Sequence, residues 1–173
     1  YNLLPYMEVI QHDGDLIFAL QRGIYAQGNA IQSATVYTSN ILTDINGSGA
    51  SNITIADPLI GDDLDVDLSG ASRIDAELYL SSLSVNLSDA STADFSGAAN
   101  LYFIECSGAS SARGYGLFTD QLVAELSGAS TGMFSVAESI IAEASGASTI
   151  RYRGDADVLR ADLSGGSHLE KVD

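Results

Sequence analysis

At 173 residues, 46% of them hydrophobic, the chain has enough material for one domain with a substantial core and is too apolar for a disordered segment. Its 23 acidic residues against seven basic ones give a net charge of −16, which repels phosphate backbones and anionic lipid heads and so argues against nucleic acid and bare membrane as partners. No run of about 18 apolar residues is present to span a membrane as a helix, and the single Cys106 excludes an intrachain disulfide.

The opening Tyr1-Asn2-Leu3-Leu4-Pro5-Tyr6 carries no initiator Met, basic leader or cleavage site, and reads as a trimmed end with any signal peptide already removed. Met7-Glu8-Val9-Ile10 and Leu16-Ile17-Phe18-Ala19-Leu20 read as strands around the turn His12-Asp13-Gly14-Asp15. Residues 1–45 are expected to form N-terminal strands, a cap or a degenerate coil, and residues 46–170 the repeated coils of a single domain.

From Ser48 onward a block of the type Ser-Gly-Ala-Ser recurs, starting at Ser48, Ser69, Ser88, Ser107, Ser127, Ser145 and Ser164 with separations of 21, 19, 19, 20, 18 and 19 residues. A period near 20 marks a solenoid with one coil per repeat. Leucine-rich repeats would need Leu-x-x-Leu-x-Leu followed by Asn or Cys, and helical hairpin arrays need periods above about 30. Neither pattern is present.

Before each block the residues alternate with period two. The outward position is Asn46, Asp67, Asn86, Glu105, Glu125, Glu143 or Asp162, and its neighbours, such as Val66 and Leu68 or Ile104 and Cys106, are apolar or small. That pattern is a strand with one buried and one wet face. After the block a second buried column follows: Ile53, Ile74, Ala93, Ala112, Gly132, Ile150 and Leu169. A further apolar patch (Leu78/Leu80, Leu101/Phe103, Leu117) implies three short strands per turn. The fold class expected is all-β: a single-stranded right-handed parallel β-helix of about 19–20 residues per coil, six to seven coils plus an N-terminal cap.

Within the block the second position is Gly in six copies and Asp89 in the seventh. Gly, and after it Asp and Asn, tolerate positive φ, so a left-handed corner turn is expected there. The fourth position, Ser51, Ser72, Ser91, Ser110, Ser130, Ser148 and Ser167, offers a hydroxyl to the turn backbone or to its neighbour, building a ladder at the corner.

With seven such blocks, a preceding acidic strand and a following one, the chain resembles the auto-transporter adhesin head domain of bacterial envelope proteins, the GIN domain, over roughly residues 35 to 170. The resemblance implies a right-handed β-helix, export to the periplasm or cell surface, and an adhesive role. It carries no catalytic residues over to this chain.

Two outward columns are candidates for chemistry. Glu105, Glu125, Glu143 and Asp162, if stacked in register, form a carboxylate ladder that is either a solvated wall or a weak Ca²⁺ strip, since hard cations want several oxygens. Asp75, Asp94 and Arg113 would be consecutive neighbours after the corner, the arrangement a polysaccharide-cleaving β-helix of the pectinase type would use; the bland alternative is a surface ion pair between Asp94 and Arg113. Short turns leave no walls for a cleft, which favours a non-enzymatic envelope protein, an adhesin or surface scaffold. Cys106 occupies a column otherwise held by Leu and is expected to fill the core. His12 and His168 lack zinc-ligand spacing, and no His recurs beside the serines as a triad would require. Tyr79 or Tyr102, if outward, would stack on sugar rings or a protein partner. Partners expected are protein or glycan at a cell surface, with self-association through the ends or faces of the solenoid.

Overall fold

The computed structural model describes residues 4–24 and 33–173, in two compact units, Tyr1–Ser39 and Asn40–Asp173. In the first unit β1 (Met7–His12) pairs antiparallel with β2 (Asp15–Leu20). The two residues between them, Asp13 and Gly14, both have positive φ (50° and 100°), as a two-residue hairpin turn demands.

The second unit is a parallel β-helix of about seven turns. Its first coils comprise β3 (Asp44–Gly47), β4 (Asn52–Thr54) and β5 (Leu59–Leu68). The middle coils are one long strand each: β6 (Arg73–Leu87), β7 (Thr92–Cys106), β8 (Ser111–Leu126) and β9 (Thr131–Ala144). The last are β10 (Thr149–Arg153), β11 (Asp157–Leu163) and β12 (His168–Lys171), and every pairing in this sheet is parallel.

The expected three short strands per coil are therefore merged in the middle of the solenoid. Between β6 and β7 one bend is absorbed by single unpaired residues: Leu80 pairs with Ala99 and Ser82 with Leu101, leaving Ser81 and Asn100 between them. That skip also resets the inside-outside alternation. Ala99 and Tyr102 are both buried, and Phe103, expected in an apolar patch, points outward with 41% of its surface exposed.

All seven corners are left-handed at the second block position. Gly49, Gly70, Gly108, Gly128, Gly146 and Gly165 have φ between 68° and 74°, and Asp89 has φ of 60°. A second constraint acts at the same place. The N–H of each following residue donates to the carbonyl of the corner residue one coil back, as in Ala129 to Gly108 and Ala147 to Gly128, both at 2.7 Å. The corners are therefore drawn so close that a Cβ on Gly128 would lie 2.5 Å from the Gly108 carbonyl oxygen. At Asp89 the side chain contributes in return, its Oδ2 accepting the Gly70 N–H at 3.0 Å.

The inner serines close the corner. In all seven copies the hydroxyl donates to the carbonyl three residues earlier, at 2.6–2.8 Å. Ser110 and Ser148 also lie within reach of a carbonyl of the preceding coil, Leu87 at 3.3 Å and Leu126 at 3.2 Å, and both are fully buried. The core fills with the predicted columns: Val66, Val85, Ile104, Ala124 and Ala142 before the corner, Ile74, Ala93, Ala112 and Ile150 after it. Tyr102 meets Phe134 edge-on, ring centres 5.7 Å apart.

Candidate functional site

Because the corners stack in register, each outward position becomes a column along the solenoid. Register pairs join Asn46 to Asp67, Asp67 to Asn86, Asn86 to Glu105, Glu105 to Glu125, Glu125 to Glu143 and Glu143 to Asp162. The carboxylate ladder is thus assembled as the alternation implies. Beside it lie the first serines of the corners, and the two rows line an open trough of about 610 Å³ that includes Glu105, Glu125, Ser107 and Ser127.

A cation outside the repeat pattern completes the ladder's end. Arg160 lies 2.8 Å from Glu143 and 2.5 Å from Asp162. Its guanidinium is held above its ordinary pKa, first by the hydrogen bond to Asp162 and then by the charges of Asp162 and Glu143. The carboxylates line up along the axis. Among the described residues no three Asp, Glu, His or Cys side chains form a group that could hold a metal ion.

On the stretch after the corner, Asp75 pairs with Asp94 and Asp94 with Arg113, so the trio are consecutive outward neighbours. The ion pair that forms is a different one from that expected. Arg73 places Nη2 3.1 Å from Asp94 and 3.6 Å from Asp75, reaching diagonally across the coils, whereas no ion pair within 4 Å joins Asp94 to Arg113 among the described residues. Further along the same column Arg151 pairs with Glu170 at 3.2 Å.

Cys106 is buried in the leucine column, and burial pushes its thiol up to about 12, against a smaller lowering by the Ser110 hydroxyl. Such a thiol is protonated and inert at neutral pH. Of the two tyrosines considered for display, Tyr102 is buried at 1% exposure, whereas Tyr79 is outward and donates its hydroxyl to Glu77 at 2.9 Å. Tyr79 belongs to a third column, Ile60, Tyr79, Ala98 and Phe118, aligned by register. Phe118 is 68% exposed. The alternation around Phe118 points it outward, but glycines at 114 and 116 and a register shift in that coil blur the pattern in the sequence.

With this geometry in place the chain can be compared with known proteins. Residues 1–156 match the family model described as putative auto-transporter adhesin, head GIN domain. The chain belongs to this family. The match takes in the N-terminal segment that the block-based resemblance, from about residue 35, left out. Crystal structures share the GIN-domain fold at low identity. A putative adhesin from Bacteroides fragilis NCTC 9343 aligns with a TM-score of 0.88 at 20% identity, over 98% of this chain and 78% of that one. A putative lipid binding protein from Parabacteroides distasonis ATCC 8503 aligns at 0.77 and 15% identity, over 99% and 80%. A putative adhesin from the same strain aligns at 0.70 and 20%, over 98% and 80%. A search of curated proteins gave no match to this GIN domain. No helix among the described residues is long and apolar enough to cross a membrane.

Proposed function

We propose that this GIN domain is a non-enzymatic adhesin module of the cell envelope, a stiff stack of coils that presents ordered outward columns, acidic before the corner and mixed after it, to a surface partner. Membership of an adhesin head family supports the surface role. The observation that carries the reading is the use of the repeat itself. All seven inner serines and all seven positive-φ positions are engaged in closing and stacking the corners, so recognition is left to the outward columns. Beads coated with the protein are expected to adhere to epithelial monolayers or bacterial lawns above albumin-coated beads. Adhesion no greater than albumin on both would overturn the reading.

A second reading, cleavage of uronic-acid polymers, is favoured by one observation: Asp75, Asp94 and Arg113 are in register on one face. Against it, Asp94 is held by Arg73 on an open sheet. Appearance of unsaturated product from polygalacturonate, abolished by Asp94→Ala, would establish it.

A further inference from the structure

Of the aromatic side chains of the coils, Phe95, Tyr102 and Phe134 are each at most 2% exposed, whereas Tyr79, Phe103 and Phe118 face outward. Two of the three outward rings share one column. Ile60, Tyr79, Ala98 and Phe118 occupy the same outward position in four successive coils, with Ile60, Tyr79 and Phe118 exposed at 71%, 44% and 68%. Coils stack about 4.8 Å apart, so Tyr79 and Phe118 stand roughly 10 Å apart along the axis with the small Ala98 between them. The Tyr79 hydroxyl is tethered to Glu77, which restricts the ring.

We propose that this column is a binding platform for an extended, neutral, β-linked polysaccharide lying along the solenoid axis. The cross-section of the face carries the argument. The apolar strip is one side chain wide and is flanked by polar outward positions, Glu77 and Ser96 on one side and Asn100 and Asp120 on the other. A protein partner wants a broader apolar patch within a polar rim. A β-linked sugar ribbon has the matching section, with C–H faces for the rings and hydroxyl edges for the flanking carboxylates and amides. In such a ribbon alternate sugars turn the same face to one side, and their repeat is about the length that separates the two rings. The net charge of −16 rejects polyanionic glycans and leaves neutral ones. The flat, wall-less face suits a polymer rather than a small molecule.

This inference rests on the adhesive reading and names its ligand class. The test is co-sedimentation with microcrystalline cellulose and chitin, and affinity electrophoresis in hydroxyethylcellulose and glucomannan. Retention by at least one is expected, weakened about tenfold by Phe118→Ala or by Tyr79→Ala, the scale set by keeping one aromatic face in water. Phe103→Ala, an exposed aromatic in another column, should bind as the parent does, and the three variants should melt with the parent. Retention by none of the four polymers, or retention untouched by both platform substitutions, overturns the proposal. So does sedimentation velocity showing that Phe118→Ala dissolves a self-associated species of a protein that no polymer retains. Coated beads separate the two readings: Phe118→Ala beads that adhere fully leave adhesion standing without the platform, and polymer binding without bead adhesion leaves the platform standing without adhesion.

Discussion

Replacing Gly128 and Gly49 by Ala, one at a time, separates the two reasons for glycine at the corner. Both have φ of 74°, so both variants place an L side chain in the left-handed region, at about 1–2 kcal/mol. They differ in what the new methyl meets. At Gly49 nothing lies within 4 Å; at Gly128 the Cβ would sit 2.5 Å from the Gly108 carbonyl oxygen and 3.1 Å from its nitrogen. That oxygen accepts the Ala129 N–H, so it cannot retreat without stretching the corner's own hydrogen bond. The added overpacking is worth roughly 1–3 kcal/mol, giving about 2–5 kcal/mol for Gly128→Ala. At roughly 2–4 °C per kcal/mol for a chain of this size, calorimetry should show Gly128→Ala melting about 4–20 °C below the parent and Gly49→Ala only about 2–8 °C below. Equal losses would refute the close-approach argument and leave φ alone as the cause. Asp89→Ala extends the test: it keeps the Cβ and removes the carboxylate that accepts the Gly70 N–H, and should be less stable than Asp89→Gly.

Ser110→Ala removes a buried donor and leaves the Ser107 carbonyl short of a partner, at a cost of about 1–3 kcal/mol in chemical denaturation, and Ser51→Ala at the more exposed first corner should cost less. Cys106 makes the fold alkali-sensitive. Its pKa is raised to about 12 in the folded state, so stability is complete below the unfolded thiol's value near 9 and declines between about pH 9 and 12, by about 4 kcal/mol in total. The raised pKa of buried Tyr102 acts in the same direction, and Cys106→Ala should flatten the alkaline limb of a pH–stability curve. Millimolar Ca²⁺ is expected to leave the melting midpoint within about a degree, because the carboxylates from Glu105 to Asp162 run in line instead of converging; a rise of several degrees would restore the divalent strip.

The corner was readable because positive φ leaves a mark in residue choice, and Asp89 among six glycines was the most informative copy. The coil-to-coil approach that adds to the preference for glycine was not readable, since separation between repeats leaves no separate trace from φ, and at Asp89 the corner keeps its Ala90-to-Gly70 hydrogen bond at 2.8 Å with a Cβ in place. The buried columns were readable from alternation, but only up to each bend. Where Ser81 and Asn100 drop out of pairing, parity shifts with no Gly or Pro to mark it, and so Phe103 turns outward and Tyr102 inward. Register placed Asp75, Asp94 and Arg113 together, as the spacing implied. Partner choice among long side chains did not follow register: Arg73 reaches Asp94 on the diagonal, and Arg160, whose register partner is Ile141, reaches Glu143 and Asp162.

The stacked corners fix the rise per coil, so like residues at one outward position are held about 4.8 Å apart whatever their charge. In water two carboxylates at that distance repel by roughly 0.9 kcal/mol before salt screening, which a backbone ladder along the whole strand can tolerate. Arg160 relieves Glu143 and Asp162 at one end, and no ion pair reaches Glu105 or Glu125 among the described residues. A carboxylate at an outward position therefore costs little and keeps the surface wet, which is sufficient reason for the ladder to exist. No comparable reason covers Ile60, Tyr79 and Phe118. At 71%, 44% and 68% exposure these side chains add little to the core, and they are neither charged nor placed to keep the surface wet. That asymmetry in cost is why recognition is assigned to the aromatic column and solvation to the acidic one.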